Sequence, residues 1–409
     1  MGRRAVKRWW VRLGQARRRR TWLAGNRGRS VDVVVSHVEV NGLHGTGVFT
    51  QALFSGEPDV VSVRSHDAYD ARQTFGAFSL RLPQPDPRPA VVAARVRAAL
   101  PGLAIRRIAV IPFFADDVRN ALALADLSAA PLCTFVMDDR NVFQSDIPDE
   151  LVAELLARSS LRLAVSEELR DSYQRKFGVP FAFVPPLVDP ALVLRQPSSP
   201  DPEALAGRRA VMVGNVWGQE WLALLCQAME GSELELEWYS ATGLRWHRLG
   251  PEELARSGIR LRPGLSDAEL VSRLRHAAFA VLPSGTLAAG DDHQAIARFS
   301  LPSKLVYSLA TAHLPTLVLG HPDTAAARFV LRRGLGLRAP YERAALDAAV
   351  AELLRPEVQL AVRARAAALA PVLSAEGAGS WVWRSLELGR PIDDRWERLG
   401  SSATAGTAS

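Results

Sequence analysis

A short stretch late in the chain combines residue types that could hold a phosphate group. Residues 300–305 read Ser-Leu-Pro-Ser-Lys-Leu and lead into an apolar segment that predicts a helix. The first free N–H groups of a helix and its positive dipole end attract anions. Ser303 and Lys304 would add a hydroxyl donor and a full positive charge. The stretch alone leaves a structural interpretation open, with Ser303 as a helix cap and Lys304 in solvent.

A glycine-rich turn near the start of the chain is the second candidate. The β-branched run at 31–36 predicts a buried parallel strand, and His44, Gly45, Thr46 and Gly47 follow it before an apolar helical segment. Glycine lets the backbone approach a ligand closely, so this turn is a candidate phosphate site. His44 is a candidate acid/base group, and a structural role in the turn is the alternative.

Two adjacent acids form the third candidate. Asp138 and Asp139 come directly after the predicted strand at 132–137. Ligands of open α/β sheets collect at the carboxyl ends of strands, so these carboxylates could hydrogen-bond an acceptor hydroxyl. Capping of a turn or helix is the alternative.

The second half of the chain repeats this pattern. Asn215 lies in a glycine-bearing turn after the predicted strand at 210–213, and Ser284 follows the predicted strand at 278–282. Arg298, just before the phosphate-site stretch, could share the phosphate charge with Lys304. The Asp-Asp-His run at 291–293 follows a loop of small residues, and we interpret it as solvated loop, with substrate contact and a metal site as the alternatives. We therefore expect no metal and no cofactor.

The order of these segments predicts an α/β protein with two similar halves. Strands alternate with helices on both sides of a link at 188–202 that includes a proline- and serine-rich run. The predicted organisation is a leader, a first Rossmann-like domain, the linker, a second Rossmann-like domain, and a C-terminal segment with a tail, with bounds 1–30, 31–187, 188–202, 203–385 and 386–409. Two such doubly wound domains usually face a cleft.

The leader, residues 1–30, differs in net charge from the remainder of the chain. The chain has 409 residues and a formal net charge of +7, yet residues 1–30 hold eleven basic residues and no acid. Removing those eleven charges leaves −4 for everything after residue 30. The main body therefore lacks the basic excess of a nucleic-acid binder, and we expect no nucleic-acid partner. The two cysteines, Cys133 and Cys226, lie far apart in apolar runs, as expected for buried thiols in the reducing cytoplasm.

The leader mixes arginine with tryptophan, which leaves three interpretations. Trp9, Trp10 and Trp22 lie among basic residues, a composition that suits an anionic membrane surface. An unpartnered tail and a nucleic-acid contact are the alternatives. We prefer the membrane surface, with the protein cytoplasmic and peripheral on the inner face of the membrane.

Several segments in order resemble the GT-B glycosyltransferases, in particular the retaining group called family 4. The resemblance spans roughly residues 31–385. It rests on Ser166-Glu167-Glu168-Leu169 with the Val-Pro-Pro-Leu-Val-Asp run at 184–189, on Gly-Leu-Ser-Asp-Ala-Glu-Leu at 264–270 before Leu-Pro-Ser at 282–284, and on the stretch at 300–305. It implies that the second domain binds a nucleotide-sugar donor and that the glycine turn lies near the donor phosphates and the acceptor.

The chain departs from this family pattern at two places. Members commonly carry a glutamate for the donor ribose on the helix after the phosphate-site stretch, where this chain has Tyr307 or Ser308. Many also carry an arginine and a lysine after the first strand of the second domain, whereas residues 214–220 contain no basic residue.

The resemblance and the departures leave more than one function open. The first is a hexosyltransferase-like enzyme of cell-surface polysaccharide synthesis that moves a sugar to a glycan or lipid-linked acceptor with retention. The alternative is a catalytically inactive GT-B-like binding or scaffold protein. A sugar-nucleotide epimerase on the same fold is a third hypothesis.

Overall fold

The computed structural model describes residues 3–54, 56–57, 59–244 and 247–401. Residues 402–409, the predicted tail, lie outside the described residues, as do residues 1 and 2 of the leader. Contacts group the described residues into two compact units, one within 3–184 together with 376–397 and the other within 185–375 together with 398–401. No pattern in the sequence had indicated that residues 376–397 return to the first unit.

The first unit is built on a seven-stranded sheet in which every strand pair is parallel. Its spatial order is β3-β2-β1-β4-β5-β6-β7. The strands are β1 (Ser30–Ser36), β2 (Val60–Arg64), β3 (Phe78–Arg81), β4 (Ala104–Val110), β5 (Leu132–Val136), β6 (Leu161–Ala164) and β7 (Ala182–Phe183). Its helices are α1 (Arg3–Gly25), α2 (Gly45–Phe54), α3 (Pro89–Ala99), α4 (Ala115–Ser128), α5 (Asp149–Arg158) and α6 (Glu167–Phe177).

The second unit is built on a six-stranded parallel sheet with the order β10-β9-β8-β11-β12-β13. The strands are β8 (Arg209–Val213), β9 (Glu235–Ser240), β10 (Ile259–Pro263), β11 (Phe279–Pro283), β12 (Thr316–Leu319) and β13 (Gly336–Ala339). The helices between them are α7 (Pro202–Ala206), α8 (Gln219–Met229), α9 (Pro251–Arg256), α10 (Asp267–Arg275), α11 (Gln294–Phe299), α12 (Ser303–Ala312), α13 (Ala325–Arg332), α14 (Arg343–Leu353) and α15 (Pro356–Leu369). The last two helices of the described residues are α16 (Ala378–Leu388), which belongs to the first unit, and α17 (Arg398–Ser401).

The two sheets confirm the predicted α/β class with two Rossmann-like, doubly wound domains. In each sheet the first strand of the unit lies in the interior and later strands add on both sides. Local signals also hold: the Ser166 side chain accepts from Leu169 N at 3.0 Å to cap α6, and Ser266 caps α10 with Glu269 in a capping box.

Helix α16 packs against the first unit through buried aromatic side chains. The Trp383 ring lies 4.9 Å from that of Phe54, and Trp381 and Trp396 stack edge to face at 4.6 Å. A Cβ at Gly379 would meet the carbonyl oxygen of Leu53 at 2.3 Å, so only glycine permits this approach to α2. Among the described residues, none of the helices combines the length and the apolar character that a bilayer span requires.

A buried ion pair lies in the interior strand β1. The fully buried Asp32 carboxylate accepts from Arg106 at 2.6 Å and from Arg107 at 2.7 Å. Burial would raise the pKa of Asp32, but the hydrogen bonds and charges of Arg107 and Arg106 outweigh it and hold that pKa below its ordinary value. Arg107 also lies over the Trp383 ring, with its guanidinium carbon 4.6 Å from the ring centroid. The pair therefore links the sheet to α16.

Replacement of Asp32 tests the energetic role of this pair. Asp32→Asn should lower the free energy of unfolding of the first unit by about 3 kcal/mol, because it leaves two arginines without their buried counter-charge. Urea denaturation measures the change. The control Asp86→Asn disrupts an exposed pair with Arg88 and should alter stability little. Equal losses in the two variants would contradict the assignment.

Candidate functional site

Lys304 lies in the first turn of α12, where its side chain reaches the loop that follows β8. Its Nζ donates to the backbone oxygen of Asn215 at 2.5 Å. This bond uses one of the three ammonium N–H groups, and within the described residues the other two have no hydrogen-bond partner. Burial disfavours the charged form and lowers the pKa of Lys304 to about 8. An anion at this position would supply the missing counter-charge.

Hydrogen bonds from residues in β9 and just after it hold the loop that follows β8. Gly214 adopts a φ of 73°, and its carbonyl accepts from Trp238 Nε1 at 2.7 Å. The Asn215 Oδ1 atom accepts from the Thr242 hydroxyl at 2.5 Å, so the side-chain NH₂ is the part left to donate elsewhere. The structure thus brings Asn215 and Lys304 into direct contact, as two predicted members of one site.

The remaining predicted residues of the second unit lie between the end of β11 and the start of α12. Ser284 follows β11, which pairs with β8, and its backbone N–H donates to the Tyr341 hydroxyl at 3.1 Å. Ser303 is the first residue of α12, with Pro302 in the capping position, so the Ser303 side chain does not cap the helix. Arg298 is in the last turn of α11, and its charge contributes to the lowered pKa of Asp323, after the larger effects of Arg328.

The interpretation of the run at 291–293 as solvated loop is wrong for Asp291, which is buried and holds the loop through hydrogen bonds. Asp291 accepts from the Trp221 indole N–H at 3.1 Å and from the backbone N–H of Thr286 at 3.0 Å. Asp292 and His293 pair with each other at 2.5 Å. No group of three or more His, Cys, Asp and Glu side chains in the described part of the chain is arranged to hold a metal ion.

The two positions that depart from the family pattern point to neighbours within the second unit. The Tyr307 hydroxyl donates to Asp267 at 3.2 Å, and the Ser308 hydroxyl donates to the backbone oxygen of Lys304 at 3.0 Å. His247, which the sequence analysis did not single out, lies near Lys304. Burial lowers the pKa of His247, and electrostatic repulsion from Lys304 lowers it further by a smaller amount.

In the first unit, His44 closes the glycine-rich turn. Its Nδ1 accepts from the backbone N–H of Gly47 at 3.2 Å, so its Nε2 carries the proton and donates to the Glu39 carbonyl at 2.7 Å. Both ring nitrogens are therefore engaged with backbone. A Cβ at Gly47 would lie 2.4 Å from the carbonyl oxygen of Asn41, so glycine is required.

Helix α2 begins at Gly45, three residues earlier than the sequence indicated. Gly45, Thr46 and Gly47 therefore form its first turn rather than a loop before it. Gly45 is exposed and Thr46 is half-buried. Their N–H groups belong to the helix end that favours anions.

The adjacent acids after β5 have different environments. Asp139 is buried, and its two carboxylate oxygens accept from four backbone N–H groups, those of residues 141 to 144, at 2.7 to 3.2 Å. These bonds hold the loop after β5 in place. Asp138, one residue nearer the strand, is half-buried. Asp138 is thus the member of the pair that a ligand could reach.

The same edge of this sheet carries a polar cluster that the sequence analysis missed. The Ser65 hydroxyl donates to Asp117 at 2.5 Å and lies 2.8 Å from His66 Nδ1, and the His37 ring stacks on Phe113 with centroids 3.8 Å apart. Burial raises the pKa of Asp117 to about 6 despite the hydrogen bonds that it accepts. Each of these residues follows β1, β2 or β4, so the strand-end argument used for Asp138 could have found them.

No family model matches the chain, and no curated protein matches it. Solved structures match in fold. Anabaena HepE in complex with UDP and glucose is 10% identical with a TM-score of 0.61, over 88% of this chain and 100% of that one. A trehalose-6-phosphate synthase, OtsA, is 11% identical with a TM-score of 0.62, over 87% and 99%. A sucrose-phosphate synthase from Thermosynechococcus elongatus is 12% identical with a TM-score of 0.61, over 88% and 99%.

These likenesses confirm the GT-B fold that the sequence had indicated. Identities of 10 to 12% establish the fold alone. Membership of the retaining family 4 group stays a prediction.

The pKa of Lys304 offers a direct test of its environment. The chain has three lysines, so acylation by a small amine reagent can be followed at each one by mass spectrometry. Labelling of Lys304 should rise with pH around 8, because burial favours the neutral amine. Inorganic pyrophosphate should move this transition to higher pH, since a bound anion favours the ammonium form. A transition near the ordinary lysine value, unmoved by pyrophosphate, would rule out a desolvated anion site.

Proposed function

We propose that this protein is a glycosyltransferase that moves a sugar from a nucleotide-diphosphate donor to a glycan or lipid-linked acceptor, with retention of configuration. The single observation that carries the proposal is Lys304 at the start of α12, bonded to Asn215 after β8. It puts a half-buried cation with a lowered pKa at the start of a helix, in contact with the loop that follows β8 at the carboxyl edge of a Rossmann-like sheet. In a GT-B fold, that arrangement suits a nucleoside diphosphate.

The chemistry of the donor explains why such a cation is needed. Sugar transfer passes through an oxocarbenium-like state as the bond to the leaving diphosphate breaks. Fixed donors and cations must neutralise the leaving oxygens in that state. We assign this role to Lys304, the Ser303 hydroxyl and the first amides of α12, with Asn215, Ser284 and Arg298 completing the donor side.

In the first unit we assign the acceptor hydroxyl to Asp138. Asp139 and His44 hold the surrounding loops through backbone hydrogen bonds, so we treat them as positioning residues. The first-turn amides of Gly45 and Thr46 form a second anion-binding position of the kind that helix starts provide. One of the comparison structures contains UDP and glucose, which supports a nucleotide-sugar donor for the proposal as a whole.

A catalytically inactive binding protein is the second candidate function. Tyr307 and Ser308 supply no carboxylate for the donor ribose, and both are bonded to neighbours in the unit. A ligand could then bind through the phosphate alone. Turnover separates the two: nucleotide binding without sugar release or transfer from any tested donor favours the inactive protein.

We further propose a cytoplasmic location. Cys133 and Cys226 are both free and buried, as expected for thiols kept reduced. A cytoplasmic location would give the enzyme access to a cytoplasmic nucleotide-sugar donor. The role we infer for it is synthesis of a cell-surface polysaccharide.

Binding of nucleotides tests the proposal. Thermal-shift screening with UDP, GDP and ADP should reveal one nucleotide that stabilises the protein, by linkage of binding to folding. Lys304→Ala should weaken that nucleotide by about 10- to 100-fold in calorimetry, because a charge-assisted hydrogen bond is worth about 1.5–3 kcal/mol.

The matched control is Arg256→Ala, which removes an exposed cation of the same unit. Its affinity should equal that of the unmodified chain. If the three nucleotides and their sugars produce no shift, the glycosyltransferase proposal fails. If Lys304→Ala binds the nucleotide as tightly as the control variant does, the assignment of Lys304 to the phosphate is wrong, although the protein still binds a nucleotide.

A further inference from the structure

The leader forms a helix that is fastened to the first unit along one face. Arg12 in α1 donates to Asp67 at 2.6 Å, and the Gln15 side-chain amide donates to the Ala71 carbonyl at 2.6 Å. Further along, the Trp22 ring lies 5.2 Å from that of Phe78. These contacts recur at intervals of three and seven residues, which is the spacing of one helix face. An unpacked tail therefore does not describe this segment.

The opposite face of α1 exposes large apolar side chains. The exposed fractions are 52% for Trp9, 64% for Trp10 and 43% for Leu13. Arg17 and Arg20 continue the stripe begun by Trp10 and Leu13, because the positions 10, 13, 17 and 20 lie on one side of a helix. A grouped apolar surface on a helix that is already fastened to the protein indicates a binding surface.

The charge of this region is one-sided. Residues 1–30 hold eleven basic residues and no acid, against a net −4 for the rest of the chain. The one carboxylate bonded to Arg12, that of Asp67, lies on the packed side. The outward face therefore offers arginines beside tryptophans, which matches anionic headgroups above an apolar layer.

The exposed leucine distinguishes a bilayer from a nucleic acid. Arginine and tryptophan would suit either, since phosphates pair with arginine and bases stack on aromatic rings. Leu13 lies between the tryptophans and Arg17 on the same stripe, and an aliphatic side chain gains most from an apolar layer. The combination favours lipid.

The direction of α1 determines which part of the unit would meet the bilayer. Arg12 bonds to Asp67, just past the carboxyl end of β2, whereas Trp22 contacts Phe78 at the amino end of β3. The helix therefore runs antiparallel to these strands. Trp9 and Trp10, still nearer the helix start, lie toward the carboxyl edge of the sheet.

That edge carries four more exposed apolar side chains. They follow β1, β4 and β5, on the loops and helix starts that also carry Asp138, and are Leu43, Val48, Phe114 and Phe143, with exposed fractions of 38 to 54%. Exposed apolar side chains are thus present at the same sheet edge toward which the tryptophans of α1 lie.

We propose that the outward face of α1 docks the protein onto anionic lipid bilayers, with the carboxyl edge of the first sheet toward the membrane. The docking itself stands apart from the catalytic proposal. If the proposed function also holds, the acceptor would be a lipid-linked molecule presented at this edge.

Vesicle co-sedimentation of the full chain, without nucleotide, tests the docking. Vesicles of phosphatidylglycerol and phosphatidylcholine should pellet the protein, whereas vesicles of phosphatidylcholine alone should pellet much less. High salt should weaken the binding, because the headgroup attraction is screened. The triple variant Trp9→Ser, Trp10→Ser, Leu13→Ser and the double variant Arg17→Glu, Arg20→Glu should each reduce the affinity by about tenfold or more.

Control variants change the same residue types at exposed positions elsewhere. Leu360→Ser replaces a side chain that is 56% exposed, and Arg97→Glu with Arg256→Glu reverses two exposed charges. These controls should bind vesicles as the unmodified chain does. Melting temperatures should be similar for all variants, since the changed side chains point away from the packed face.

Three results would overturn the proposal. One is absence of binding to anionic vesicles, and another is equal binding by the α1 variants and the controls. The third is tighter binding to a duplex DNA oligonucleotide, lost in the same variants. Nucleotide binding would be untouched by any of these, so failure of the docking is distinguishable from failure of the catalytic proposal.

Discussion

Parallel pairing of every strand is the constraint on which the candidate sites depend. It puts the carboxyl ends of all strands of a sheet along one edge, where each leads to a loop and most to a helix start. Residues as distant in sequence as Ser65 and Asp117 therefore meet there at 2.5 Å. In the second unit the same constraint brings Lys304 to Asn215. The chemistry of each unit is thus concentrated at one edge by topology before any ligand is considered.

Burial of Lys304 at the start of α12 makes its ammonium group a favourable position for an anion. Burial lowers the pKa of Lys304 to about 8, and the backbone oxygen that it contacts carries no full charge to balance the ammonium. The chain has no arginine or lysine at 214–220, where the resemblance to GT-B glycosyltransferases had led us to expect basic residues. The positive charge of the donor site therefore rests more heavily on Lys304 in our account.

The sequence was sufficient for features that depend on local patterns. The β-branched run at 31–36 and the capping serine at Ser266 each predicted the element that is observed, because periodicity and capping act over a few residues. It was not sufficient for long-range contacts. The fastening of Arg12 to Asp67 and the return of α16 to Phe54 depend on tertiary packing that no local pattern encodes. The same limit applies to His44, whose two backbone bonds emerge only once the turn is built.

The central claim is that the start of α12 and Lys304 bind the diphosphate of a nucleotide. A crystal structure of the chain with a bound nucleoside diphosphate, chosen from UDP, GDP and ADP by affinity, tests it most directly. We predict phosphate oxygens within hydrogen-bond distance of Lys304 Nζ and of the first backbone amides of α12. A nucleotide bound with its phosphates away from Lys304 would contradict the account.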